Sequence, residues 1–226
     1  RKQGNTIEVF CARQRMLPTD VMGMFSWVSV GAAIQNIVVA AAAKGFASSI
    51  EYRTTIRNEN PAAVIILSPG NADGHLSGCI TLRNTNRNKY DTTPLEKSLI
   101  SRLTQSIKGL NAGIHWMTGT SGMDLMASLD ARSSFIRLEH KPLHDELFDI
   151  LRFTRRQKET TRFGLDFESL GVPSFAVLFA RQLQHWSVQR AVSRLGIGHI
   201  VAKMLALRLR KAGALCLVTA KERDAI

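Results

Sequence analysis

FSWVSVGAAIQNIVVAAAAKGF, Phe25 to Phe46, is the most apolar stretch of the chain, and its reading sets the fold. Its length nearly suits a membrane span, which takes about 20 apolar residues. Gln35 and Asn36 stand at its centre, however, and alanines dominate its second half. Lys44-Gly45 closes it as a helix C-cap does, with glycine accepting a left-handed backbone. A helix that is hydrophobic nearly all round and rich in small residues reads as the buried central helix of a soluble fold. No membrane partner is expected.

Working outward, Thr6 to Cys11 reads as a strand and Gly45 to Glu51 as a turn. Ala62 to Leu67 (AAVIIL) is a continuous apolar run of the kind that suits a strand buried on both faces. Ser68 to Gly78 is a loop of turn formers. Beyond it, Leu95, Leu99, Ile100, Leu103 and Ile107 recur at helical spacing. Asn111 to Thr118 suggests a strand. Ser121 suggests the N-cap of a helix reaching about Arg132, and Pro142 opens another that runs to about Phe153. Helical candidates come next at Ala176–Trp186, Val188–Leu195 and His199–Lys211, and Ala214 to Ala220 reads as a second fully apolar strand. Long helices with a few strands, not regularly alternating, make an α+β pattern.

The 226 residues are enough for one large domain or two small ones, and 45% hydrophobic with 21% charged residues rules out wholesale disorder. The net charge of +12 points to anionic partners: nucleotides, phosphorylated cofactors, nucleic acid or an acidic membrane face. Cys11, Cys79 and Cys216 lack C-x-x-C spacing and read as buried small hydrophobes in a reducing, cytoplasmic setting. The chain opens inside a strand without a Met and stops at KERDAI directly after another, so it reads as a segment of a longer polypeptide.

The stretch with most chemistry is Arg83 to Pro94, RNTNRNKYDTTP. If it begins a helix or tight turn, Arg83 and Arg87 share one face, with the Thr85 hydroxyl nearby. Two guanidinium forks and a hydroxyl form a donor set for phosphate oxygens. Backbone N–H groups at a helix start would add to it.

R-x-T-x-R-x-x-Y followed by Pro94-Leu95-Glu96 and an amphipathic helix resembles the opening of nitroreductase-like flavoproteins. Gly31-Ala32-Ala33-Ile34-Gln35-Asn36, with the alanine run and Lys44-Gly45-Phe46, resembles that family's core helix. The core helix here precedes the phosphate motif, the order that an internally duplicated branch of the superfamily would give. Residues 1–75 would end a first repeat and residues 76–226 would begin a second. Gly164-Leu165-Asp166, Leu170-Gly171 and the terminal ALCLVTA are similar to the same branch.

The resemblance implies a nitroreductase-like α+β fold, with a mixed sheet flanked by long helices around a buried apolar core helix. It implies FMN, with Arg83, Thr85 and Arg87 on its phosphate, NAD(P)H as reductant and a nitro or quinone-type small molecule as electron acceptor. It also implies a dimer or an intrachain pseudo-dimer. It names no catalytic side chain, because the flavin carries the chemistry. A flavin-holding or catalytically silent binding module of the same fold is the alternative.

Other motifs read as structural. His140 and His144, beside Asp145 and Glu146, hint at a metal, but Pro142 lies between them and no third ligand is placed, so a surface helix start is preferred. Gly119-Thr120-Ser121-Gly122 lacks the lysine of a P-loop and reads as a turn into a capped helix. RFTRRQKETTR, Arg152 to Arg162, would suit a nucleic acid backbone or a rim over an anionic cofactor, though a solvated helix end accounts for it better. A basic nucleic-acid-binding domain is the least favoured reading.

Overall fold

The structure is a computed structural model describing residues 1–53, 60–70, 73–88, 90–161, 163–171 and 174–220. Lys89, Arg162, the Val172-Pro173 turn and the KERDAI end fall outside these. The chain divides into two compact units, Arg1–Thr85 and Asn86–Lys221.

The first unit packs one long helix on one sheet. Strands β1 (Lys2–Gln3), β2 (Thr6–Val9), β3 (Phe46–Tyr52) and β4 (Ala63–Pro69) form a sheet in the order β1-β2-β4-β3, every pairing antiparallel. Ile65 of β4 lies opposite Ile7 on one side and Ile50 on the other. Side chains alternate between the faces of a strand, so Ala63 and Ile65 point to the core and are fully buried, while Ile66 is exposed. AAVIIL is thus covered on one face, not both, because only one layer packs on it.

That layer is helix α1 (Met24–Ala42). Its stripe of Val30, Ile34 and Ile37, at i, i+4 and i+7, gathers with Ala63, Ile65 and Ile50 into one cluster. Only Ile34, Ala41 and Ala42 of α1 are buried, and Phe25 and Val28 are each 66% exposed. The expected buried core helix is corrected here: it forms, but a single sheet covers only a single stripe of it. Gly45 takes the left-handed backbone (φ 78°) that the C-cap reading requires. The residues after it form β3 rather than a turn, since their backbone groups pair along β4. A short helix, α2 (Ser77–Leu82), also belongs to this unit.

The start of α1 is held by Asp20. Its Oδ1 accepts the Phe25 N–H at 2.9 Å, and its Oδ2 accepts the Ser26 N–H at 2.9 Å and the Ser26 hydroxyl at 2.6 Å. The Ser26 hydroxyl, and after it these backbone N–H groups, hold the carboxyl below its ordinary range.

The second unit is mainly helical. Its elements are α3 (Lys97–Gln105), β5 (Ala112–Met117), α4 (Thr120–Glu139), α5 (Lys141–Ile150), β6 (Leu151–Arg152), α6 (Arg155–Thr160), β7 (Leu165–Asp166), α7 (Ser174–Leu183), α8 (Trp186–Arg194), α9 (Ile197–Arg210) and β8 (Leu215–Ala220). β5 and β8 pair antiparallel from Ala112↔Ala220 to Met117↔Leu215, and β6 and β7 form a short parallel pair. Among the described residues no sheet mixes parallel and antiparallel pairings, which corrects the expected mixed sheet. The coarser class holds: the structure is 54% helical and 17% strand, with its larger sheet antiparallel, an α+β arrangement.

Helices α4 and α9 run antiparallel. The ring of Phe135 stacks on His199 at 3.8 Å, and Asp124 pairs with Arg210 at 2.8 Å, equal steps along the two helices in opposite directions. Buried Ala127, Ala202 and Ala206 leave little bulk between them. A separate core of Leu151, Phe167 and Ala180 draws in Phe148 and Phe153. Helix α4 starts after Gly119, not Ser121, and runs on to Glu139, because α9 packs along its length.

Ile65→Ala should cost about 2–5 kcal/mol, whereas Val28→Ala, equally apolar but exposed, should shift stability by no more than about 0.5 kcal/mol; urea denaturation of both variants checks the pair. Because the Asp20 pKa is lowered, its contribution is present above the unfolded carboxylate value of about 3.9 and lost as pH falls through the lower folded one. The melting-temperature gap between the parent and Asp20→Asn, monitored by circular dichroism, should therefore be open at pH 6 and close in acid.

Candidate functional site

The segment Arg83 to Pro94 begins where α2 ends. The Arg83 N–H still reaches the Cys79 carbonyl at 2.8 Å, but Arg83 itself has turned to extended backbone (φ −63°, ψ 123°). Among the described residues no helix forms between it and α3. The shared helical face expected for Arg83 and Arg87 is therefore not built. Arg83 and Thr85 are exposed and Arg87 is half-buried. The boundary between the two units falls between Thr85 and Asn86, within the motif.

Asn86, Tyr90 and Asp91 brace this segment through their own side chains. Asn86 Oδ1 accepts the Asn88 N–H at 3.0 Å, and the Asn86 carbonyl accepts the Tyr90 hydroxyl at 2.7 Å. Asp91 Oδ1 accepts the Thr93 N–H at 2.9 Å. The two Asx turns give Asn86 and Asp91, and the hydroxyl bond gives Tyr90, a local structural role. That Thr93 N–H, and after it the Thr93 side chain, lowers the Asp91 pKa. The one carboxylate of the motif is thus directed onto its own backbone.

Two glycines let this segment lie close against the rest of the second unit. A Cβ on Gly171 (φ +67°) would sit 2.7 Å from the Arg87 carbonyl oxygen, and one on Gly213 would sit 2.0 Å from that of Thr93. Neither approach tolerates a side chain. Leu170-Gly171, noted in the sequence for its family resemblance, is the place where Arg87 is positioned from behind.

The other sequence candidates find different roles. His144 is fully buried rather than on a surface, with Phe148 and Trp186 ring centroids 4.6 and 5.1 Å away. Its Nε2 lies 2.8 Å from the Leu183 carbonyl oxygen and its Nδ1 3.1 Å from Asp145 Oδ1, so both ring nitrogens are engaged. Lys141, and after it His144, holds the Asp145 carboxyl below its ordinary range. Among the described residues no group of three or more His, Cys, Asp or Glu side chains is arranged to hold a metal. Cys79 and Cys216 are exposed, which corrects the reading of all three cysteines as buried.

The basic stretch is largely paired. Arg152 meets Asp166 at 2.9 Å, Arg155 meets Glu159 at 2.8 Å and Lys158 meets Glu168 at 2.6 Å. Thr154 and Gln157 close a reciprocal capping box over α6. The T-x-x-Q spacing carried that signal, but the surrounding charge obscured it. Sequence reasoning also missed a groove of about 790 Å³ along α4 and α9, floored by apolar side chains and edged by Arg132, Lys203 and Arg210. Its signal was the i, i+3, i+4, i+7 recurrence in α4 of Ser128, Ala131, Arg132 and Phe135, which reads as solvent-facing until α9 is laid beside it.

No protein family, curated protein or solved structure matches the chain.

Gly171→Ala combines left-handed strain of about 1–2 kcal/mol with a clash against the Arg87 carbonyl. It should destabilise the second unit by at least about 2 kcal/mol, read as an early loss of structure in thermal denaturation.

Proposed function

We propose that the chain is a nitroreductase-like FMN-binding oxidoreductase in which Arg83, Thr85 and Arg87 take the cofactor phosphate. The observation that carries this reading is the R-x-T-x-R donor set, whose first arginine, Arg83, leaves α2 in extended rather than helical backbone. On a helix, positions two apart do not face each other, and Thr85 would sit away from both arginines. Because α2 ends before Arg83, the three donors are not held in that helical arrangement.

The donor chemistry fits a phosphate dianion. Guanidinium groups bind phosphate oxygens through parallel N–H donors, and a hydroxyl supplies a smaller third contact. Asp91, the only acidic residue between Arg83 and Pro94, accepts from the Thr93 N–H. Gly171 fixes the backbone at Arg87 by admitting its carbonyl at close range. The Arg87 end of the motif is thus braced before any ligand arrives, which lowers the entropy lost on binding there.

Bound FMN would supply the redox chemistry, accepting hydride from NAD(P)H and passing electrons to a nitro or quinone-type acceptor. The residues of this chain bind and orient it. Fusion of the two repeats in one chain and a cytoplasmic setting belong to the same proposal. The paired cations of Arg152, Arg155 and Lys158 count against the nucleic-acid reading, since their charge is spent on carboxylates within the fold.

Protein prepared with FMN should be yellow and should bleach on addition of NADPH; protein that stays yellow under NADPH is the catalytically silent module instead. Losing two charge-assisted contacts, at about 1.5–3 kcal/mol each, Arg83→Ala combined with Arg87→Ala should weaken FMN binding by about 100-fold or more in a flavin-fluorescence titration. Unchanged affinity in the double variant would remove the site assignment.

A further inference from the structure

The groove between α4 and α9 is too apolar and too exposed to be a finished surface. Ile136, Ile200 and Met204 are 56%, 59% and 66% exposed along it, and Leu207 continues the same edge. Isolated exposed apolar residues are ordinary, but a contiguous trough of them marks a binding surface. Its charge is one-sided. Among the described residues Arg132, Lys203 and Arg210 line it and no carboxylate does. Asp124, at one end, is held by Arg210 at 2.8 Å, and Glu139, at the other, accepts the Ser193 hydroxyl.

We propose that this groove docks an amphipathic helix of a partner protein, with an apolar stripe flanked by acidic side chains. The shape favours a helix. Two antiparallel helices with alanines between them leave a straight trough rather than a closed pocket, and the Phe135–His199 and Asp124–Arg210 contacts mark its ends. At 1.5 Å per residue these contacts are roughly 16 Å apart, about three helical turns. A helix seated there meets the floor through residues at i, i+4 and i+7. Met204 and Leu207 supply an adaptable apolar lining, and Arg132 and Lys203, both exposed, meet carboxylates flanking the stripe.

Other occupants fit less well. A bilayer presents a plane and is best met by a ridge, whereas this surface is concave. A second copy docked face to face through the same groove brings Arg132 and Lys203 against their own counterparts, an arrangement of like charges that costs affinity. The proposal does not depend on FMN binding, so the two can fail separately.

The test uses the whole chain and two fluorescein-labelled helical peptides with an identical leucine stripe at i, i+4 and i+7, one flanked by glutamates and the other by lysines. Fluorescence anisotropy should show saturable binding of the glutamate peptide, at least about tenfold tighter than the lysine peptide and weakened by salt. Arg132→Glu combined with Lys203→Glu should reverse the order, and Met204→Lys should weaken both. Equal affinity for the two peptides, or no saturable binding of either, overturns the proposal. So does a dimer in sedimentation equilibrium that Met204→Lys dissolves, or flotation with phosphatidylglycerol vesicles that the charge reversal abolishes while neither peptide binds. The parent protein's preference between the two peptides decides the matter even if a variant loses its fold.

Discussion

The stripe of Val30, Ile34 and Ile37 on α1 lies in one cluster with Ala63 and Ile65 of β4, and the first unit is organised around that contact. An apolar segment buries only the faces its neighbours cover. Helix α1 is apolar nearly all round, yet one sheet covers one stripe of it, and Phe25 and Val28 stay in solvent. The same limit acts on β4, whose Ile65 is fully buried while Ile66 is exposed. It acts again on β8, where Leu217 and Val218 are exposed although the strand reads as continuous core. Hydrophobicity states how much surface a segment can give up, and architecture decides how much it does.

That distinction separates what could be read in advance from what could not. Pro142 opens α5, Gly45 ends α1 left-handed, and the apolar runs at Ala112–Met117 and Leu215–Ala220 become strands, because each signal is carried by a residue's own backbone preference or by local periodicity. The misread segments are those decided by a partner distant in sequence. FASSIEY is polar enough to pass for a turn, and it becomes β3 because Ile50 and its neighbours find hydrogen-bonding partners along β4. Helix α4 outruns its expected end because α9 lies beside it. His144, four residues after His140 at an apparent surface, is buried by Trp186 of α8 and by the carbonyl of Leu183.

The candidate phosphate motif was legible in its residue types and not in its conformation. Arginine, threonine and arginine at alternating positions are a candidate donor set for an anion by their chemistry, but spacing by itself does not say whether a helix carries them. The ending of α2 at Leu82 makes that choice. Behind the motif, Gly171 and Gly213 have a role that no side-chain chemistry announces. Their value is the absence of a Cβ where the carbonyls of Arg87 and Thr93 approach to 2.7 and 2.0 Å of its place. Such a role becomes visible only when the second backbone is present.

Charge completes the distinction. A net charge of +12 invites a general attraction to anions, but within the fold the cations are not equivalent. Arg152, Arg155 and Lys158 stand in the most basic stretch of the sequence and meet Asp166, Glu159 and Glu168. The exposed Arg155–Glu159 pair contributes little to stability, about 0–1 kcal/mol, yet all three pairs neutralise the field that a partner would feel. Arg132 and Lys203 edge a groove whose described lining contains no acid at all. The density of basic residues along the sequence is thus a poor guide to where an anion binds. What matters is where the fold has left the neighbouring carboxylates, and on that measure the groove outranks the crowded stretch.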